Sequence, residues 1–166
     1  MSRGFVKEED QEDIPFVPPR AHLPENTVNY VTQVGLDALL KERKGLIKEK
    51  ANLSGTSDNE LRISRNFINA KILQLDNRIA SAKVVDLNHL NKDEVRFGAL
   101  ITLKDLKTTL LRKFQIVGVD EADIAKEKIS FLSPLAKTVV NKKIGDRVQL
   151  KLPENEVILE IISIEY

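Results

Sequence analysis

The chain has 166 residues, 42% of them apolar and 5% aromatic, with no Trp and no Cys, and its 26 Lys and Arg against 25 Asp and Glu leave a net charge of +1. That composition excludes disulfides and thiolate metal sites, argues against base-stacking platforms, which need several exposed rings, and does not suit a protein that coats DNA by charge alone. His22 and His89 lie too far apart in sequence to suggest a zinc site, and no apolar stretch approaches the roughly 20 residues that span a bilayer.

Residues 1–32 carry three basic and six acidic residues, with an acidic run from Glu8 to Asp13 and prolines at Pro15, Pro18, Pro19 and Pro24. No helical or strand period is sustained there, so the segment reads as a flexible, extended arm. Ile14, Phe16 and Val17 are its candidate docking residues. The first five residues lack the apolar core of a signal peptide, and the expectation is a soluble, cytoplasmic protein.

Residues 33–85 hold two heptad-spaced runs. The first is Leu36, Leu39, Arg43, Leu46, Lys50 and Leu53. The second is Leu61, Arg65, Ile68, Ile72, Leu75, Ile79 and Ala82. Alternating steps of three and four make an apolar seam along a helix. The polar stretch at residues 54–60 between the runs is long enough only for a turn. The spacing predicts an antiparallel helical hairpin, with each helix about 27 to 38 Å long at 1.5 Å per residue. Arg43, Lys50 and Arg65 interrupt the seam and are expected to snorkel from its edge. From residue 33 to residue 84 there are ten basic and six acidic residues. The shaft is therefore basic, suited to an acidic channel wall or nearby RNA, or simply a solvated surface.

Residues 86–94 read as a linker, after which the period turns toward two. Residues 95–103, 111–117 and 128–132 are strand candidates. Residues 147–152 and 157–164 flank a turn at Pro153, Glu154, Asn155 and Glu156, a hairpin signal. Ser133 followed by Pro134 opens a short helix to about Asn141, with Ser as N-cap and Pro at the first helical position. The predicted class is α+β: a helical hairpin followed by a small, mostly antiparallel sheet with one short helix.

The candidate chemistry sits at the tip of the hairpin, where Asp58 and Glu60 are two carboxylates on an exposed turn. Mg²⁺ takes only one or two protein carboxylates and keeps most of its waters, so the rest of its shell could come from a partner. Such a protein would complete another enzyme's site and hold none of its own. The competing reading is a capping box, with Ser57 at the N-cap and Glu60 three residues on. Asp58 then sits where the helix dipole favours negative charge. On a regular helix the two acids diverge by about 200°.

The ordered set of segments resembles the bacterial GreA/GreB transcript-cleavage factors. The matching residues are Val31-Thr32 with Gly35-Leu36; Ile79-Ala80-Ser81-Ala82-Lys83-Val84-Val85-Asp86; Val95-Arg96-Phe97-Gly98-Ala99; and Ile116-Val117-Gly118-Val119-Asp120-Glu121-Ala122-Asp123. They continue with Ile129-Ser130, Ser133-Pro134-Leu135-Ala136, Lys143-Ile144-Gly145-Asp146 and Ile164-Glu165-Tyr166. The resemblance covers residues 31–166 and leaves out the arm. It implies a coiled coil, an FKBP-like domain at residues 86–166, and docking of that domain at the secondary channel of RNA polymerase through Ser133 and Pro134. It further implies tip acids, here Asp58 and Glu60, that support the polymerase's Mg²⁺ during cleavage of backtracked RNA.

In the family the tip acids are three apart and a Tyr follows. Here they are two apart and no Tyr follows, and both helices look shorter than usual. A non-cleaving occupant of the channel, like the regulator of nucleoside diphosphate kinase, is therefore kept as the alternative. The partners expected are RNA polymerase and, along the basic shaft, nascent RNA, with the chain a monomer, away from membranes and without a metal or cofactor of its own. An FKBP-like fold alone also raises prolyl isomerisation, but fold does not carry function.

Overall fold

The computed structural model describes residues 15–166. The acidic run from Glu8 to Asp13 and the candidate docking residue Ile14 lie outside the described residues.

Strand β1, Asn29–Val31, leads into helix α1, Gln33–Ala51. Helix α2, Asp58–Ala80, returns antiparallel to α1, and strand β2, Ala82–Val84, follows it. The hairpin forms where the heptad pattern predicts. Leu39, Leu46, Ile68 and Leu75 are buried between the helices, with Leu53, Ile72 and Ile79 packed against them. Leu75 is fully buried. Thr32 caps α1 by accepting from the Gly35 N–H at 2.9 Å. Arg43 leaves the seam and pairs across the hairpin with Asp76 at 2.6 Å, an exposed contact that adds little to stability. Arg65 and Lys50 are exposed.

At its base the hairpin is tied shut by a parallel two-stranded sheet. Asn29, Tyr30 and Val31 of β1 register against Ala82, Lys83 and Val84 of β2. The Val85 N–H extends the pairing to the Val31 carbonyl at 3.1 Å. Buried Asn29 donates from Nδ2 to the Arg78 carbonyl and to Ser81 Oγ, at 3.0 and 3.1 Å, which fixes the end of α2. Residues 29–31 are thus built into the fold rather than free.

The second unit is a five-stranded sheet. Strands β3, Leu100–Asp105, β4, Leu111–Val117, β5, Lys128–Ser130, β6, Arg147–Lys151, and β7, Glu156–Glu165, lie in the order β5-β4-β3-β7-β6. All neighbours are antiparallel except β4 and β5. Helix α3, Pro134–Val139, contributes buried Ala136 and Val139 to a core shared with Ile101, Leu103, Ile116 and Ile161. The helix stops before Asn141, whose φ of 66° is left-handed.

The strand expected over residues 95–103 starts only at Leu100. Gly98 takes a φ of 89°, so the alternating pattern is broken by a turn in which Val95 pairs instead with the Lys142 carbonyl. A Cβ at Gly98 would collide with the Leu87 side chain, so the tight turn also holds the linker down. That linker contains a short 3₁₀ turn, Leu87–His89, capped by Asp86. No helix among the described residues is long and apolar enough to cross a membrane.

Candidate functional site: an acidic tip and the joint that aims it

Ser57 is the N-cap of α2 and accepts from the Glu60 N–H at 3.2 Å. Asp58 is the first residue of the helix and Glu60 its third; both are exposed. Glu60 turns back toward the Ser57 N–H, which contributes least, while its main bonds run one residue past it. Its Oε2 accepts from the Thr56 hydroxyl at 2.6 Å and from the Thr56 N–H at 3.2 Å, one residue further back. Those two bonds, the hydroxyl first, hold the Glu60 carboxyl below its ordinary value. Glu60 is therefore occupied in shaping the turn, whereas Asp58 points its charge into solvent.

Positions two apart on a helix carry the two carboxylates to different sides, and the tip is helical from Asp58 onward. Among the described residues no cluster of three His, Cys, Asp or Glu could hold a metal ion.

Ser133 and Pro134 lie on the other unit, at the start of α3. Ser133 Oγ accepts from the Ala136 N–H at 3.2 Å, and the Pro134 carbonyl accepts from Thr138 Oγ1 at 2.7 Å. Pro134 is exposed and Ser133 half-buried. The helix-cap role read from the sequence is present, and it leaves the exposed face of Pro134 available for contact.

The sequence pattern does not predict the joint between hairpin and sheet. It is built on Asp120 and Glu121, in the loop after β4. Asp120 is almost wholly buried, with its side chain 8% exposed. Arg20 Nε donates to its Oδ1 at 3.0 Å. Arg78 Nε of α2 lies 3.0 Å from Oδ2 as an ion pair without hydrogen-bond alignment. Arg20 also forks onto Glu42 of α1, with its two terminal nitrogens at 2.8 and 3.0 Å from the carboxylate oxygens. The Glu42 bond, more than the Asp120 bond, raises the Arg20 pKa further, against the opposing effect of burial. Arg78 donates to the Ala21 carbonyl at 2.5 Å.

Glu121 repeats the pattern. It accepts from Thr32 Oγ1 at 2.5 Å and pairs with Lys128 of β5 at 2.8 Å. The units also approach closely at Gly118, where a Cβ would lie 2.7 Å from the Tyr30 carbonyl oxygen. Residues 20 and 21 of the expected flexible arm are therefore bound to both units. Two guanidinium groups around one buried carboxylate outweigh the freedom that the prolines leave. The signal present in sequence was the run Asp120, Glu121 and Asp123 after a glycine; nothing local named Arg20 as its partner.

A helical hairpin with an acidic tip, fixed at its base to a small sheet, defines a two-unit protein with a helical arm set on a sheet domain. The comparisons agree with that class. The family described as "Transcription elongation factor, GreA/GreB, C-term" matches residues 90–166. The chain is 35% identical over 139 residues to transcription elongation factor GreA of Thermodesulfovibrio yellowstonii, covering 79% of this chain and 88% of that one. It is 36% identical over 151 residues to GreA of Trichlorobacter lovleyi, covering 82% and 96%. A solved GreA/GreB factor from Nitrosomonas europaea aligns over 84% of this chain and 99% of its own, at 16% identity and a TM-score of 0.43. The chain belongs to the GreA/GreB family of transcription elongation factors.

Proposed function

We infer that this protein binds RNA polymerase through the exposed start of α3, inserts its hairpin into the secondary channel, and modulates elongation. The observation that carries this reading is the rigidly based hairpin with Asp58 exposed at its far end. With 19 and 23 residues, its helices extend about 28 and 34 Å. The names of the relatives, all transcription elongation factors, support the same reading.

At the tip Asp58 is the carboxylate offered to the polymerase's Mg²⁺, and Glu60 sets the turn that presents it. The chain supplies charge and position, and the polymerase supplies the chemistry. The second reading, a channel occupant that does not stimulate cleavage, is favoured by one observation: Glu60 is bonded to Thr56, which leaves a single free carboxylate.

A stalled, backtracked elongation complex separates the two. Under the first reading the protein shortens the transcript, Asp58→Asn abolishes the shortening, and polymerase binding is unchanged. Binding without shortening of the transcript establishes the second. Loss of binding in Pro134→Ala, with α3 still folded, tests the docking surface; unaltered binding removes it.

A further inference from the structure

The segment before β1 leaves the joint along the hairpin as a strap. Ala21 receives the Arg78 bond, Arg20 forks onto Glu42 of α1, and Pro19 shares a groove with Gln74, Asn77 and Arg78 of α2. Pro15 and Val17 are half-buried while Phe16 between them is 82% exposed, so the strap keeps one side on the protein as far as residue 15. The sequence ahead of it is acidic. Glu8, Glu9, Asp10, Glu12 and Asp13 put five carboxylates into six residues.

Beside the strap, α1 carries a stripe of charge without a match. Lys41, Lys44 and Lys48 stand three and four residues apart, on one face of the helix. All three are exposed and form no ion pair among the described residues. Of the acids on α1, Glu42 is taken up by Arg20, and Asp37 and Glu49 leave the stripe with an excess of positive charge. Gly45 lies next to the stripe, and a Cβ there would meet nothing within 4 Å. A glycine inside a helix weakens it but leaves room for another backbone to come close. Reach is no obstacle. Asp13 is seven residues from Arg20, up to about 23 Å of extended chain, whereas Lys48 is six residues along α1 from Glu42, about 9 Å. A tether this short gives an effective concentration of order millimolar, so surface ion pairs that are weak singly act together.

We propose that the acidic run from Glu8 to Asp13 folds back onto Lys41, Lys44 and Lys48 of α1 as an internal counterion, shielding the basic shaft from other polyanions. The face of α2 under the strap is the weaker receptor. It continues toward the tip through Lys71, one cation whose ammonium already lies over the Phe67 ring at 5.5 Å. The shield goes beyond the reading of the tip and needs neither the acids there nor a polymerase.

The test is paramagnetic relaxation in the ¹⁵N-labelled full chain. The sequence has no Cys, so Gln11→Cys places a single nitroxide inside the acidic run without removing a carboxylate. The expected result is a selective loss of amide intensity at residues 41–48, about twofold or more against the same chain with the nitroxide reduced. Inorganic polyphosphate relieves the loss by competing for the lysines, and so does about 1 M salt, where the Debye length is about 3 Å. Lys44→Gln combined with Lys48→Gln abolishes it with helical circular dichroism unchanged, since both positions are exposed and off the seam. The proposal is overturned by no selective loss, or by a loss that survives salt, polyphosphate or the paired substitution. A loss of equal size with the nitroxide and the ¹⁵N label on separate molecules also overturns it, since the run then lies on a second copy.

Discussion

Arg20 and Asp120, one hundred residues apart in sequence, meet at 3.0 Å, and with Arg78 and Glu42 they lock the segment before β1, both hairpin helices and the sheet into one joint. Asp120→Ala leaves two largely buried guanidinium groups without their shared partner. The expected loss is about 2 to 4 kcal/mol, read as a lowered unfolding midpoint. Arg20→Ala removes one of the two cations and is milder. Spin labels on exposed Lys41 and Lys113 report the aim of the hairpin, and their distance distribution broadens in both variants. An unchanged distribution means the joint contributes stability but not aim.

Leu75 is fully buried in the hairpin seam. Leu75→Ala therefore costs about 2 to 5 kcal/mol through lost burial and the cavity left behind. Because this core is separate from that of the sheet, helical circular dichroism falls first on heating while the sheet unit still holds its amide protection. A single coincident transition for both probes disproves independent cores.

The pH response of the tip follows from Glu60. Its folded pKa lies below the ordinary 4.5 because the Thr56 hydroxyl and N–H stabilise the carboxylate. A depressed carboxylate contributes stability above the unfolded value and loses it as pH falls through the folded one. The turn is therefore intact at neutral pH and loosens only below about 4.5. Thr56→Val removes the hydroxyl donor, so the Glu60 midpoint rises toward 4.5 in a carboxyl-carbon NMR titration. No upward movement rules out the hydroxyl as the main cause.

The C-terminal Tyr166 closes the sheet onto the linker. Its hydroxyl donates to the Glu94 carbonyl at 2.7 Å and accepts from the Arg96 N–H at 2.8 Å. Burial, the larger effect, raises its pKa above the ordinary 10.0, against the Arg96 N–H, which lowers it. Stability held by the neutral phenol is thus complete below 10 and lost as pH rises through the higher folded value. Tyr166→Phe costs about 1 to 3 kcal/mol by stranding two backbone groups, and absorbance titration in a Tyr30→Phe background reads the raised midpoint directly.

Periodicity makes the hairpin legible: Leu39, Leu46, Ile68 and Leu75 all stand on the heptad seam of the sequence and are buried in it. The turn at residues 153–156 was visible for the same local reason. β1 and β2 were not, because strands of three residues carry no readable period and their parallel pairing joins segments some fifty residues apart. Gly98 hid a turn inside an alternating pattern. At the tip the Ser57 cap was readable, but which donor Glu60 would choose depends on backbone geometry that Thr56 and Ser57 share. Ser133 and Pro134, the candidate docking pair, are visible as a helix start, a role that two adjacent residues can specify alone. Arg20 and Asp120 depend on long-range charge pairing, for which neighbouring residues give no clue.

The closed base of the hairpin has a mechanical consequence. β1 and β2 lie side by side at the base of the hairpin, and the chain crosses to the sheet unit once, directly after β2. The helices beyond it act as a lever, and the joint at Asp120 sits close to the fulcrum. On an arm of about 34 Å, a five-degree rotation at the base sweeps the tip through about 3 Å, comparable to the width of one coordination shell. Small changes in ion pairing near Arg20 are thereby magnified into a displacement of Asp58 at the tip.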